Sequence, residues 1–206
     1  MKAIEPTITG IFPTPIYITQ LGRKFSDKEN KFIDKNKKNI NVNEGNVASK
    51  NSYILNSKEL INIKKKLNKV IKDYFDKVIN TTNSIEPYIT QSWINYTEKN
   101  QYHHKHSHAN SLVSGILYLN ADIKTDKIFF FKPGYDLFKP EIKNFNVWNS
   151  STWFFPVDTG KIILFPSSLV HEVQYKQGID TRVSLSFNVF FKGSIGVEVE
   201  LTKLIL

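Results

Sequence analysis

The chain contains no cysteine, which excludes disulfides, thiolate zinc sites and cysteine nucleophiles. It has no apolar run near the roughly 20 residues that a bilayer-crossing helix requires. Its start, MKAIEPTITGIFPTP, lacks the continuous apolar segment of a secretory signal. These absences predict a soluble, cytoplasmic protein with no membrane partner. Histidine is scarce as well, five in 206 residues, so its placement carries information.

At this length one domain is expected, residues 1–206. A sizeable core is in reach, because 40% of the residues are hydrophobic, with 15 Phe and 9 Tyr. The net charge is +9 and uneven: residues 1–80 hold 16 Lys and Arg against 8 Asp and Glu. The excess lies in runs such as DKNKKN and NIKKKLNKV. Such runs can attract nucleic acid or another acidic partner. Arginine is nearly absent from them, so bidentate phosphate recognition is poorly supported. A solvated helical face is the simpler account.

Ser26 and Glu29 stand at capping-box spacing, which predicts a short helix over SDKENKFIDKNKKN. Residues 40–56 read as polar and irregular. From Ser57 to Asn80, Leu60, Ile63, Leu67, Val70, Tyr74 and Val78 recur every three or four residues, the stripe of a helix packed on one side. Beyond NTTNSIEP the chain turns aromatic and β-branched. YITQSWINY, SLVSGILYLNA, KIFFF, GKIILFPSS, TRVSLSFNVFF and GVEVELTKLI read as strands. The plan is α+β but mainly β: a helical N-terminal layer over residues 1–84 backing a jelly-roll core over 85–206. Residues 132–160 form a long excursion carrying Tyr135, Phe138, Trp148 and Trp153. It is a candidate wall or lid for a substrate, with Trp153 as a contact, or else a packed hydrophobic flap.

Four of the five histidines fall in QYHHKHSHAN, residues 101–110, and the fifth, His171, in LFPSSLVHEV. On a strand, side chains at i and i+2 share a side, roughly 6–7 Å apart. His106 with His108 can reach one ion from a strand end, and so can His104 with His106; spacing does not choose. His171 is the only remote imidazole available as a third ligand. Two near ligands and one remote one grip an ion on one face and leave positions open, in iron oxygenases and zinc hydrolases alike. The alternative is a polar loop beside a satisfied core histidine. That account suits His103 and His104, as surface or supporting groups.

Arg182 follows His171 by eleven residues, and in RVSLSFNV it alternates onto one face with Ser184, Ser186 and Asn188. A buried guanidinium requires a carboxylate partner, and its fork suits two oxygens at once. Asp158, Glu172 or Asp180 can supply one, or the carboxylate belongs to a dicarboxylic cosubstrate.

The pieces IFPTPIY, SWIN, HSHANSLVSGILYL, GKIILFPSSLVHEV and TRVSLSFN occur in an order that resembles the iron(II)/2-oxoglutarate-dependent dioxygenases. More narrowly, they resemble an oxygenase family frequent in tailed phages and marine bacteria. The resemblance implies a double-stranded β-helix and a hydroxylase that couples O2 and 2-oxoglutarate to succinate and CO2, on a primary substrate the sequence does not name. It implies Fe(II) held by His106, His108 and His171, choosing 106/108 over 104/106. It implies Arg182 with Ser184 on the distal carboxylate of 2-oxoglutarate, and Asn95 and Tyr118 as further hydrogen-bond donors to it. His104 would then stand near the substrate. One departure matters: this superfamily usually carries a carboxylate where His108 stands. Neutral imidazole leaves one more positive charge on the centre, which raises its reduction potential. A three-histidine cupin-like enzyme that uses no 2-oxoglutarate, or a non-catalytic jelly-roll interaction module, is the alternative.

Overall fold

The computed structural model describes residues 6–134 and 138–206. Twelve strands and two α-helices occur among them. In chain order these are β1 (Tyr17–Gln20), α1 (Asp27–Asn36), β2 (Ile40–Val42), β3 (Val47–Ser49), α2 (Ile61–Tyr74), β4 (Ile85–Thr97) and β5 (His103–His106). Then come β6 (Val113–Asn120), β7 (Lys127–Phe131), β8 (Thr152–Pro156), β9 (Lys161–Pro166), β10 (His171–Val173), β11 (Arg182–Ile195) and β12 (Leu204–Ile205). The large sheet runs β1-β9-β6-β11-β4-β3-β2, with β12 on the far end of β11, and the small sheet runs β5-β10-β7-β8. The two sheets are those of a double-stranded β-helix.

Strand alternation sorts the core into two layers. On β9, Ile162 and Leu164 face the helices while Ile163 and Phe165 face the small sheet. On β6, Leu117 and Leu119 go to the helix side and Ile116 and Tyr118 to the other. Helix α2 presses Ile63, Leu67, Val70 and Tyr74 onto the large sheet, each such Leu or Ile contributing about 1.5–3 kcal/mol. Helix α1 starts on the capping box: the Glu29 N–H donates to Ser26 Oγ, and the Ser26 N–H donates to the Glu29 carboxylate.

Four expectations change. The 57–80 helix is regular only over α2, and a π-turn closes it at Phe75–Ile79, with the Asn80 N–H donating to the Phe75 carbonyl. The wider turn rotates Val78 off the stripe, leaving it exposed. Residues 40–56 are not wholly irregular, since β2 and β3 extend the large sheet. Two strands that carry the site are absent from the runs read from sequence: β5 and β10, of four and three residues. GVEVELTKLI is no continuous strand. Gly196 (φ 83) and Leu201 (φ 56) turn the chain back around a 3-10 turn, leaving two residues of β12 against β11.

Candidate active site

Residues β5 and β10 pair antiparallel with His106 opposite His171, and their ring centroids are 4.3 Å apart. His108 lies just past β5, its backbone N–H donating to the Ser167 carbonyl at 2.9 Å. The imidazoles of His106, His108 and His171 each bring a nitrogen within 4.8 Å of the others. Two tautomers follow from hydrogen bonds. His106 Nδ1 is 2.7 Å from the His104 carbonyl, and His171 Nδ1 is 3.0 Å from the Leu169 carbonyl. A carbonyl only accepts, so each Nδ1 carries the proton and each Nε2 keeps a free lone pair. That donor set fits one divalent ion. Burial, then the neighbouring imidazoles, holds His108 down to about 4. His171 is pushed down to about 3 for the same leading reason. Both stay neutral and ligand-ready at neutral pH.

Three of the polar residues expected around a cosubstrate form a row across the large sheet. Ser184 of β11 pairs with Asn95 of β4 on one side and with Tyr118 of β6 on the other. Arg182 stands two residues earlier on β11, and Arg182, Ser184, Tyr118 and the three histidines line one cavity between the sheets. Arg182 is one of two arginines in the chain and is 4% exposed. Burial lowers its pKa from the ordinary value, opposed by the nearby Tyr118 and Asp126. Its Nη2, the Tyr118 hydroxyl and Asn95 Oδ1 are buried with no hydrogen-bond partner. Unpartnered buried polar atoms are rare. Arg182 and Tyr118 both line the cavity, and their two unpaired donors fit a carboxylate-bearing ligand. The slot is narrow, with about 20 Å³ of free space.

The carboxylate partner of Arg182 is none of the three foreseen. Asp158 bonds Lys161 and Gln20 instead. The partner is Asp126, at 3.3 Å from Nη1, and Asp126 also holds the buried Lys176 at 3.2 Å. ADIKTDKIFFF and QYKQG give no periodic signal that separates these two from solvated turn residues, so sequence reasoning missed them. It also placed His103 at the surface or in a supporting shell. His103 lines the cavity, stacked on His106 at 4.6 Å. Burial first, then the neighbouring imidazoles and the Arg182 guanidinium, push it down to about 2. His104 does not line the cavity; its Nδ1 sits 3.4 Å from the Glu44 carbonyl, and its ring is 4.7 Å from that of His106.

Trp153 lies elsewhere. It lines a separate groove with Trp148, Thr14 and Leu169 rather than the histidine cavity, and Phe138 is 80% exposed. Tyr135, the other aromatic of that excursion, lies outside the described residues. No described helix is long and apolar enough to cross a membrane.

A family model described as "Putative 2OG-Fe(II) oxygenase" matches residues 91–188, just under half of the chain and the part that holds every site residue named from sequence. No curated protein matches the chain. Solved structures are similar in fold. HygX from Streptomyces hygroscopicus, with nickel, 2-oxoglutarate and hygromycin B bound, is 11% identical with a TM-score of 0.56, covering 85% of this chain and 82% of its own. A Pseudomonas putida prolyl-4-hydroxylase is 12% identical at 0.53, over 87% and 93%. A prolyl hydroxylase from Trichoplax adhaerens, in complex with a hypoxia inducible factor peptide fragment, is 13% identical at 0.56, over 85% and 83%. The matched segment, the double-stranded β-helix and the histidine cluster beside a buried arginine agree with one another: over residues 91–188 this chain is similar to the 2OG-Fe(II) oxygenases, and it shares the fold of these solved structures.

Proposed function

We propose that this enzyme hydroxylates its substrate with Fe(II) held by His106, His108 and His171, and with 2-oxoglutarate anchored at its distal carboxylate by Arg182. The supporting observation is one cavity that contains both a convergent histidine triad and, beyond it, the partnerless Arg182 Nη2 and Tyr118 hydroxyl. Iron supplies the redox chemistry with O2 that no side chain here possesses. The chain's own part is to bind and orient. The carbonyls of His104 and Leu169 fix the imidazole tautomers. Arg182 offers a guanidinium nitrogen to the anion, Tyr118 donates its hydroxyl proton, and Ser184 stands between Tyr118 and Asn95. Asn95 spends its amide N–H on Ser186 Oγ at 3.0 Å, so its unpaired atom is an acceptor. It therefore serves the cosubstrate by setting Ser186 rather than by donating to it directly. His104, outside the cavity, supports the position of His106.

An acidic partner for the lysine-rich N-terminal third is supported by charge alone, with Lys64, Lys65, Lys66 and Lys69 close together on α2. Salt-dependent retention on a polyanion column tests it, and retention unchanged after those four lysines become glutamine removes it.

The main test is anaerobic. Fe(II) followed by 2-oxoglutarate should produce a weak visible charge-transfer band, lost in His171→Ala. Metal binding without any response to 2-oxoglutarate would point instead to a three-histidine enzyme that does without this cosubstrate.

A further inference from the structure

Resting on the assignment of Arg182 to the distal carboxylate, we propose that Lys176 governs the affinity for 2-oxoglutarate by keeping Asp126 from closing on Arg182. Lys176 is a positioning residue in this scheme. It lines no part of the cavity and acts through the carboxylate between.

Lys176, Asp126 and Arg182 are 2%, 1% and 4% exposed. Lysine is almost never buried so completely unless it is paired. Each oxygen of Asp126 serves a different cation: Oδ2 faces Lys176 Nζ at 3.2 Å, and Oδ1 faces Arg182 Nη1 at 3.3 Å. Oδ2 also accepts the Asp122 N–H at 2.9 Å. The Arg182 contact is therefore long and single, whereas an arginine beside a free carboxylate settles into two parallel, shorter hydrogen bonds. With Oδ2 engaged by Lys176 and the Asp122 N–H, Asp126 meets the guanidinium at Nη1 alone, and Nη2 is unpaired. Two buried cations share one buried carboxylate, which leaves one positive charge unmatched within the trio. Asp122, the other acid that senses Lys176, is exposed and held by the Lys124 N–H and the Thr125 hydroxyl. A carboxylate arriving in the cavity balances the trio.

Lys176 is held firmly in this role. Its backbone N–H donates to the Gln101 carbonyl and its own carbonyl accepts from the Asn100 N–H, which anchors it to the turn before β5. Gly178 gives its head room, since a Cβ there would lie 2.7 Å from Lys176 Nζ.

Removing Lys176 alone should free Asp126 to take both guanidinium nitrogens. Loss of one charge-assisted hydrogen bond to the ligand then weakens it about tenfold or more. Removing Asp126 as well removes the competitor. The experiment measures anaerobic binding of 2-oxoglutarate and of 2-oxobutyrate, which lacks the distal carboxylate, to the Fe(II)-loaded protein. Expected are a weakening of about tenfold for 2-oxoglutarate in Lys176→Met, unchanged 2-oxobutyrate binding, and recovery to within about threefold of the parent in Asp126→Asn/Lys176→Met. Asp126→Asn alone should bind 2-oxoglutarate at least as well as the parent, and it decides the matter should Lys176→Met fail to fold. Weakened 2-oxoglutarate binding in Asp126→Asn, or no recovery in the double variant, overturns the proposal. Arg182→Met separates the two levels: if it leaves the preference for 2-oxoglutarate over 2-oxobutyrate intact, the assignment of Arg182 itself falls.

Discussion

His103 and His106 lie on the same side of β5, rings stacked at 4.6 Å, although they stand three positions apart. A regular strand would point them to opposite sides. The pairing with β10 supplies the reason: His171 faces His106 and Val173 faces His103, so β5 spends three steps where β10 spends two. That bulge turns His103 into the cavity.

The bulge also creates a second close group, His103, His104 and His106, which shares His106 with the first. His106 has a single free lone pair, at Nε2, so the two groups cannot each hold an ion through it. If the group containing His171 is the metal site, His103→Ala/His104→Ala should keep Fe(II) or Co(II) affinity within about tenfold, while His171→Ala loses it. Metal-induced thermal stabilisation reads this directly, since saturating ligand at 100 times Kd adds about 2.7 kcal/mol. The reverse pattern would transfer the site to the other triad.

His108 provides a charge test. Replacing it with aspartate puts an anionic oxygen where a neutral nitrogen stood, which suits Mn(II) more than the imidazole-preferring Ni(II). His108→Asp should therefore raise the Mn(II)-to-Ni(II) affinity ratio by about an order of magnitude. Competitive titration with a chelating dye gives that ratio, and an unchanged value would mean that residue 108 does not touch the ion.

The buried imidazoles set a pH dependence for the metal-free protein. His103, His108 and His171 are held at about 2, 4 and 3, and His106 is also lowered, in each case chiefly by burial. Unfolded histidine titrates near 6.5. Below that pH the unfolded chain takes up protons that the folded chain refuses, so stability is full above about 6.5 and falls as the pH drops toward 4. Each group contributes up to about 1.4 kcal/mol per pH unit in that window. Apo melting temperature should fall steadily from pH 7 to 4.5, with a shallower slope in His103→Phe. A flat profile would contradict neutral, buried imidazoles.

How much of this was legible in sequence follows from physical range. The i, i+2 spacing of His106 and His108 and the face shared by Arg182, Ser184 and Ser186 are local patterns, and local periodicity survives folding. The α2 stripe was legible for the same reason, up to the π-turn that carries Val78 away from the core. Asp126 was not, because its importance comes from β6, β7 and β11 meeting. A three-residue strand such as β2, INV, buries too little apolar surface to leave an alternating pattern. The bulge beneath His103 depends on how β5 pairs with β10, which no single segment encodes.

Gly115 tests the packing that shapes the cavity. It sits on β6 between Leu164 of β9 and Phe187 of β11. Strand interiors ordinarily disfavour glycine, but here a Cβ would lie 2.1 Å from Phe187 Cζ and 2.6 Å from Leu164 Cδ2. Neither neighbour is free to retreat: Leu164 is wholly buried and Phe187 is 1% exposed. Gly115→Ala should therefore destabilise by about 1–3 kcal/mol, as overpacked cores do, lowering the melting temperature by several degrees. Phe187 also lines the cavity, so a ring pushed aside should weaken 2-oxoglutarate binding along with stability. The cause is steric, which makes relief by a smaller neighbour the decisive control. Gly115→Ala/Phe187→Leu should be more stable than the two single losses added together, with a coupling of about 1 kcal/mol or more. Strict additivity in that cycle would show that the ring and the glycine are not in contact.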